Sequence, residues 1–332
     1  MPTPENCFLQ RRTLLAGAAA SLATASPFAW AAYPDKPLKI IVPWAPGGST
    51  DAIARALAQR MGETLGQSVV VDNKAGAAGQ IGTDALAKSA PDGYTLGIVE
   101  LPHAIAPAVV AKLPYDLLRD FSPITLIGTS PLILFTGMGA DSVDLKTFLK
   151  SATANKSGPP AIAHSGSGTI SHLVGEMLAQ RTKIKFNMVP YRGSAPALID
   201  VAAGTVAAHF ATLASGAALL SAGKIRAIAV TSNARMGVPS LRDVPTFTEL
   251  GIKDLVLNQW WALVAPITTP IDVLDKLRLD TIGALASAGV QARMSTLGVD
   301  LKGTGRDELR SFMRSESTRW QTVARDVGLK PQ

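Results

Sequence analysis

The segment Lys39 to Asp51, KIIVPWAPGGSTD, carries an apolar strand straight into Pro-Gly-Gly and then into the start of a helix. Gly47 and Gly48 allow a tight turn, and Ser49, Thr50 and Asp51 suit the opening positions of a helix whose apolar face is Ile53, Leu57 and Met61. Such a turn leaves backbone N–H groups and the positive end of a helix dipole facing whatever sits over the loop, which suits a carboxylate. Taken singly, it is also an ordinary strand-to-helix turn; its weight comes from a second one. Ala163-His-Ser-Gly-Ser-Gly-Thr169 leaves another short strand and enters a helix near Ile170, with hydroxyls at Ser165 and Thr169 and close backbone approach at Gly166 and Gly168. Two such loops in different halves of the chain predict a solute gripped from opposite sides.

Short β-rich runs alternate with helical patterns along most of the chain, predicting an α/β protein with mainly parallel sheets. Strands are expected near 38–42, 69–72, 95–99, 124–127, 132–136, 161–163, 185–189, 225–231 and 261–264. Helices are expected near 51–65, 79–88, 145–150, 170–180, 194–203, 271–288, 290–297 and 306–327, the last amphipathic through Leu309, Phe312, Met313, Trp320 and Val323. No stretch is long and polar enough to separate independent domains, so two lobes that exchange strands are expected.

Residues 1–31 read as an export leader: Arg11-Arg12, an apolar run from Leu14 to Ala25, and Ala29-Trp30-Ala31 as the cleavage site. Gln10 to Leu15 partly matches a twin-arginine signal. Cys7, the only cysteine, lies in that leader, so the rest of the chain has no disulfide, thiol nucleophile or Cys-ligated metal. The chain has 32 basic and 25 acidic residues, a net charge of +7 that favours acidic solutes at long range. No basic cluster alternates with aromatics, which argues against nucleic acid. His103, His164, His172 and His209 are scattered and form no metal-binding pattern. His164-Ser-Gly-Ser-Gly168 lacks the first glycine of a nucleophile elbow, and no Walker or dinucleotide glycine motif occurs. The residues alone leave an exported hydrolase using Ser165 open.

These segments form an ordered set: Val42-Pro-Trp-Ala-Pro-Gly-Gly-Ser-Thr-Asp51, Ala90-Pro-Asp-Gly-Tyr-Thr-Leu96, Lys112-Leu-Pro-Tyr-Asp116, Ser165-Gly-Ser-Gly-Thr169 with His172, Pro190-Tyr-Arg-Gly193, Ala222-Gly-Lys-Ile-Arg-Ala227 and Asp243-Val-Pro-Thr246. In this the chain resembles the substrate-binding proteins of tripartite tricarboxylate transporters, the Bug family of periplasmic receptors. The resemblance implies a type II periplasmic-binding-protein-like fold, with a ligand cleft between two α/β lobes: residues 32–125 plus 235–332, and 126–234. It implies a monomer in the periplasm that captures a small organic acid and passes it to membrane subunits of a transporter, with no cofactor, metal or catalysis. A sensory role, presenting the loaded form to a signalling protein, would use the same binding chemistry. Carried over, the first loop contributes Trp44, Ala45, Gly47, Gly48, Ser49 and Asp51, and the second Ser165, Gly166, Gly168 and Thr169.

Two departures bear on the ligand. Val206-Ala-Ala-His-Phe-Ala211 has alanine at 207 and 211, where relatives often carry aspartates. Glu100 stands where relatives often carry small polar residues; a carboxylate there disfavours a second acidic group and favours a cationic or N–H-bearing ligand. Together they shade the expectation toward a monocarboxylate or aromatic acid. Arg192 is a candidate partner for a ligand carboxylate, or else a structural ion pair. Trp44 is expected at the cleft, along with one ring of the Trp260-Trp261 pair.

Overall fold

In the computed structural model the described residues are 33–139, 143–154, 158–329 and 331; the expected leader lies outside them. In chain order they run β1 (Leu38–Val42), α1 (Ser49–Leu65), β2 (Val69–Asn73), a single 3-10 turn (Ala77–Gly79), α2 (Gln80–Ala87), β3 (Thr95–Glu100), α3 (Leu101–Val109) and β4 (Phe121–Pro131). Then come β5 (Ile133–Gly137), α4 (Leu145–Ala154), β6 (Ala161–His164), α5 (Ile170–Thr182), β7 (Asn187–Pro190), α6 (Ser194–Ala203), β8 (Ala208–Ala211), α7 (Leu213–Ser221) and β9 (Ile225–Val230). β10 (Asn258–Pro266), α8 (Ile271–Ala286), α9 (Ala288–Thr296), β11 (Asp300–Leu301) and α10 (Arg306–Asp326) complete the chain.

The strands form two sheets, ordered β11-β4-β10-β3-β1-β2 and β7-β6-β8-β5-β9. β1 pairs in parallel with β2 and β3, and β6 with β7 and β8. β10 is antiparallel to β3 and β4, and β5 to β8 and β9. The sheets are therefore mixed rather than mainly parallel. The cause is the exchange of strands between lobes: β5 and β10 are the first strands laid down after each crossing, and each inserts against the direction of its neighbours. The 125/126 lobe border drawn from the sequence falls inside β4, which stays in the first sheet through Pro131.

The local reasons are ordinary. β1, flanked on both sides by strands, buries Leu38, Ile40, Ile41 and Val42, a nearly continuous apolar run. α1 buries Ile53, Leu57 and Met61 at helical spacing and ends at left-handed Gly66. One core cluster runs through both lobes, with Ile105, Phe121 and Trp320 from the first sheet's side and Leu134, Ile162 and Phe210 from the second. A second cluster lies under Leu198, Val201 and Phe135 of the second lobe and takes in Met236 and Leu241 of the returning segment.

The chain crosses between sheets twice, outward at Leu132 and back through residues 231–257. Thr231, fully buried, ties the crossings together: its hydroxyl accepts from Leu132 N–H at 2.8 Å and donates to the Leu257 carbonyl at 2.8 Å.

Candidate functional site: a cleft ringed by helix N-termini

A cleft of about 520 Å³, counted out to its open mouth, lies between the two lobes. Four helices with uncapped N-termini start at its wall, beside a fifth, α3, whose N-cap Glu100 forms a capping box. The N-cap residues of α1, α5, α6 and α7 are Gly48, Thr169, Gly193 and Thr212; none makes a side-chain capping bond, and all four line the cleft. The first N–H groups of a helix have no partner within it and carry about half a positive charge between them, so four such ends create a positive field without any cationic side chain. Among the described residues no lysine, arginine or histidine lines the cleft, whereas Ser49, Thr50, Ser165, Ser171, Ser194 and Ser215 all bring hydroxyls to it.

The first loop is shaped from behind by Asp51. Its Oδ2 accepts from Gly47 N–H (3.0 Å) and Arg55 Nε (3.0 Å), and its Oδ1 from Asn73 Nδ2 (3.0 Å) and Arg55 Nη2 (2.9 Å). Asn73 Nδ2 also reaches the Trp44 carbonyl at 3.1 Å. Burial works against the charge, but these donors outweigh it and hold the Asp51 pKa below its ordinary value. Asp51 is therefore a positioning residue, and neither it nor Gly47 is among the lining. Gly47 sits at φ +88°, and a Cβ there would lie 3.7 Å from Ala195 of the opposite lobe.

The second loop is held by neutral histidines and hydroxyls. Gly166 N–H donates to His164 Nδ1 (3.3 Å) and Gly168 N–H to His172 Nδ1 (3.1 Å), while the two rings stack with centroids 4.3 Å apart. Both pKa values are lowered chiefly by burial, that of His172 to about 4, which keeps the rings neutral and able to accept. Ser165 Oγ is hydrogen-bonded to the hydroxyls of Ser194 (2.9 Å) and Ser171 (3.2 Å), with Thr169 Oγ1 next in the chain at 3.1 Å from Ser171. Gly168 is at φ +76°, where a Cβ would fall 2.3 Å from Val109 Cγ2 of the first lobe. The lobes are closed on one another: Ser49 N–H donates to Ser215 Oγ of α7 across the cleft at 3.1 Å.

Glu100, the last residue of β3 and the N-cap of α3, lines the floor at 3% exposure. Its Oε1 accepts from Trp44 Nε1 and from Thr50 Oγ1 (3.0 Å), and its Oε2 from Gln259 Nε2. Burial pushes its pKa up to about 8 against those hydrogen bonds. Glu100 N–H donates to His103 Nδ1 at 2.9 Å, and burial lowers the pKa of that imidazole to about 4.

Of the residues singled out in the sequence, Trp44, Ala45, Gly48, Ser49, Glu100, Ser165 and Thr169 line the cleft. Gly47, Asp51, Gly166 and Gly168 stand directly behind it, shaping the loops. Arg192 is exposed and outside the lining, because the turn that carries it presents Gly193 and Ser194 instead. Neither Trp260 nor Trp261 lines the cleft either: their indoles donate to Glu316 (3.0 Å) and Thr50 (3.1 Å), and it is the preceding Gln259 that faces it. Sequence reasoning passed over Ser194, Thr212 and Gln259. The first two carry a readable signal, a Gly or Thr followed at once by a helix, but the flanking segments are alanine-rich and their strands short.

Two α/β lobes joined by two crossings around a cleft of helix N-termini define a periplasmic solute-binding protein fold. The chain belongs to the tripartite tricarboxylate transporter receptor family, TctC, matching it over residues 53–329. It is 37% identical over 315 residues to Protein BugT of Bordetella pertussis, covering 94% of this chain and 95% of that one. The solved periplasmic binding protein BugD superposes with a TM-score of 0.86 at 32% identity, covering 90% of this chain and all (100%) of that one. R. palustris Rpa4515, solved with adipate, gives a TM-score of 0.86 at 30% identity over the same shares, 90% and 100%. Among the described residues no helix is long and apolar enough to cross a membrane.

Proposed function

We propose that the protein is an exported receptor that encloses a small organic carboxylate between its lobes and delivers it to the membrane subunits of a tripartite transporter. The observation that carries this reading is the convergence of four uncapped helix N-termini on a cleft with no lysine, arginine or histidine in its lining. Each helix end favours an anion by about 0.3–1 kcal/mol where exposed and up to ~2 kcal/mol in partly buried geometry, so together they offset the desolvation of one carboxylate. In this reading the N–H groups at the starts of α1 (past Ser49, whose N–H is taken by Ser215), α5, α6 and α7, with the hydroxyls of Ser49, Ser165 and Ser194, hold the carboxylate, and no bond is made or broken. Family membership and the adipate-bound relative support it. The protein works as a monomer in the periplasm, and the closed form is the one its membrane partner recognises.

The test is a thermal-shift panel of organic acids, each paired with its neutral amide, after unfolding and refolding the protein to remove carried ligand. At a hundredfold excess over Kd, a true ligand stabilises the fold by about 2.7 kcal/mol. A shift with an acid but not its amide supports the reading; equal shifts with both, or none with any acid, overturn it. Gly48→Val, which fills the mouth of the first loop, and Ser165→Ala are expected to weaken that ligand at least tenfold while leaving the protein folded.

A further inference from the structure

The cleft contains an acceptor that nothing among the described residues satisfies. Gln259, the second residue of β10, lines the cleft at 5% exposure; its Nε2 donates to Glu100 Oε2, while its Oε1 is buried with no hydrogen-bond partner among the described residues. The amide orientation is set by its neighbour. Glu100 already receives the Trp44 indole, a donor only, and the Thr50 hydroxyl, which itself accepts from Trp261 Nε1. Held against Glu100 Oε2 by its NH₂ group, Gln259 leaves its carbonyl side over. A buried acceptor without a partner costs about 1–3 kcal/mol, and native proteins seldom leave one unless a ligand or water completes it.

Among the described residues, the other buried side-chain atom of the lining without a partner is of the opposite kind. Thr212 Oγ1, 4% exposed at the start of α7 in the second lobe, has a proton to donate, which suits a carboxylate oxygen. Gln259 Oε1, from the first sheet, can only accept. Beside it stands Glu100, and no cationic side chain in the lining is there to pair a second carboxylate. A dianion would therefore leave one charge desolvated and unpaired in the floor.

Building on the carboxylate reading above, we infer that the ligand is a monocarboxylate carrying a hydroxyl or amine at its other end, and that Gln259 Oε1 accepts a hydrogen bond from that donor beside Glu100. The experiment is calorimetry with two matched series: hexanoate, 6-hydroxyhexanoate, 6-aminohexanoate and adipate; and benzoate, 4-hydroxybenzoate, 4-aminobenzoate and terephthalate. In at least one series the hydroxy or amino acid is expected to bind tenfold or more tighter than both the unsubstituted acid and the diacid. Gln259→Met, similar in volume but without the acceptor, brings that ratio close to one, and Glu100→Gln, which frees the amide orientation, lowers it as well; melting curves confirm that each variant is folded. Adipate or terephthalate binding as tightly as the donor-bearing acid, or a preference that survives Gln259→Met, overturns the inference and leaves the carboxylate reading standing. Silence from every acid here and in the acid–amide panel removes both.

Discussion

The two glycine-bearing loops that meet at the cleft are fixed by different chemistry. Behind the first stands one buried carboxylate, Asp51, tied to Gly47, Asn73 and Arg55. Behind the second stand two stacked neutral imidazoles and a row of hydroxyls running from Thr169 through Ser171 and Ser165 to Ser194. Charge-assisted bonds are individually about twice as strong as neutral ones, so the first loop concentrates its support in one residue and the second spreads it over several. The second is also the one whose supports change their hydrogen-bonding capacity in mild acid.

The sharpest way to break the comparison is to remove the concentrated support. Asp51→Ala strips the first loop of its anchor, leaves Gly47 N–H unpaired and takes one partner from Asn73, so it is expected to cost about 3 kcal/mol in denaturant unfolding and to weaken ligand binding at least a hundredfold. Ser171→Ala, its counterpart, should cost only about 1 kcal/mol, because Ser165 keeps Ser194. Equal losses would mean that the loops are not held differently.

Next in size is the packing of the second loop on the first lobe. Gly168→Ala forces a methyl toward Val109 at a left-handed φ and is expected to destabilise the closed lobes by about 2 kcal/mol, seen as an expanded radius in small-angle scattering even with ligand present. Val109→Ala in the same chain should recover part of that loss; no recovery would place the strain elsewhere.

A gentler probe is pH. His172 titrates at about 4 in the folded protein against 6.5 when unfolded, and His164 shifts the same way. Their contribution to stability is thus fully present above pH 6.5 and is lost as pH falls toward 4; buried His103 and His209, also at about 4, add in the same sense. Asp51, with its pKa below 3.8, keeps its charge through that window. Stability is therefore expected to decline between pH 6.5 and 4, whereas ligand affinity falls through the second loop only as pH approaches 4, and His172→Gln should flatten that fall. Smallest of all, Arg192→Ala changes stability by less than about 0.5 kcal/mol and leaves affinity unaltered, since the side chain is exposed and outside the cleft.

Much of this architecture was legible from residue pattern because strand-to-helix turns advertise themselves through glycine and small hydroxyl residues. What escaped has physical reasons. α3 (Leu101–Val109) was unread because Pro102 and Pro107 suggest a loop, yet Pro102 sits in the first helical turn, where no N–H is required. β8 (Ala208–Ala211) is only four residues long and α7 (Leu213–Ser221) is rich in alanine, serine and glycine, so both carry little periodic signal; burial in the second lobe, not propensity, decides their form. Attention to charge drew the eye to Arg192, whereas the groups that reach the cleft from that turn are the backbone of Gly193 and the hydroxyl of Ser194. A cleft walled by helix N-termini leaves few marks in residue identity.

The single hydroxyl of Thr231, bonded to both chain crossings, has a mechanical meaning. Two independent tethers would let one lobe swivel and slide over the other; tethers stapled side by side behave as a ribbon that bends easily about one axis and resists shear and twist. Opening and closing then follow one track, so the helix ends return to the same register each time a solute is released. Substitutions on the cleft floor can change what is carried without disturbing how the jaws meet.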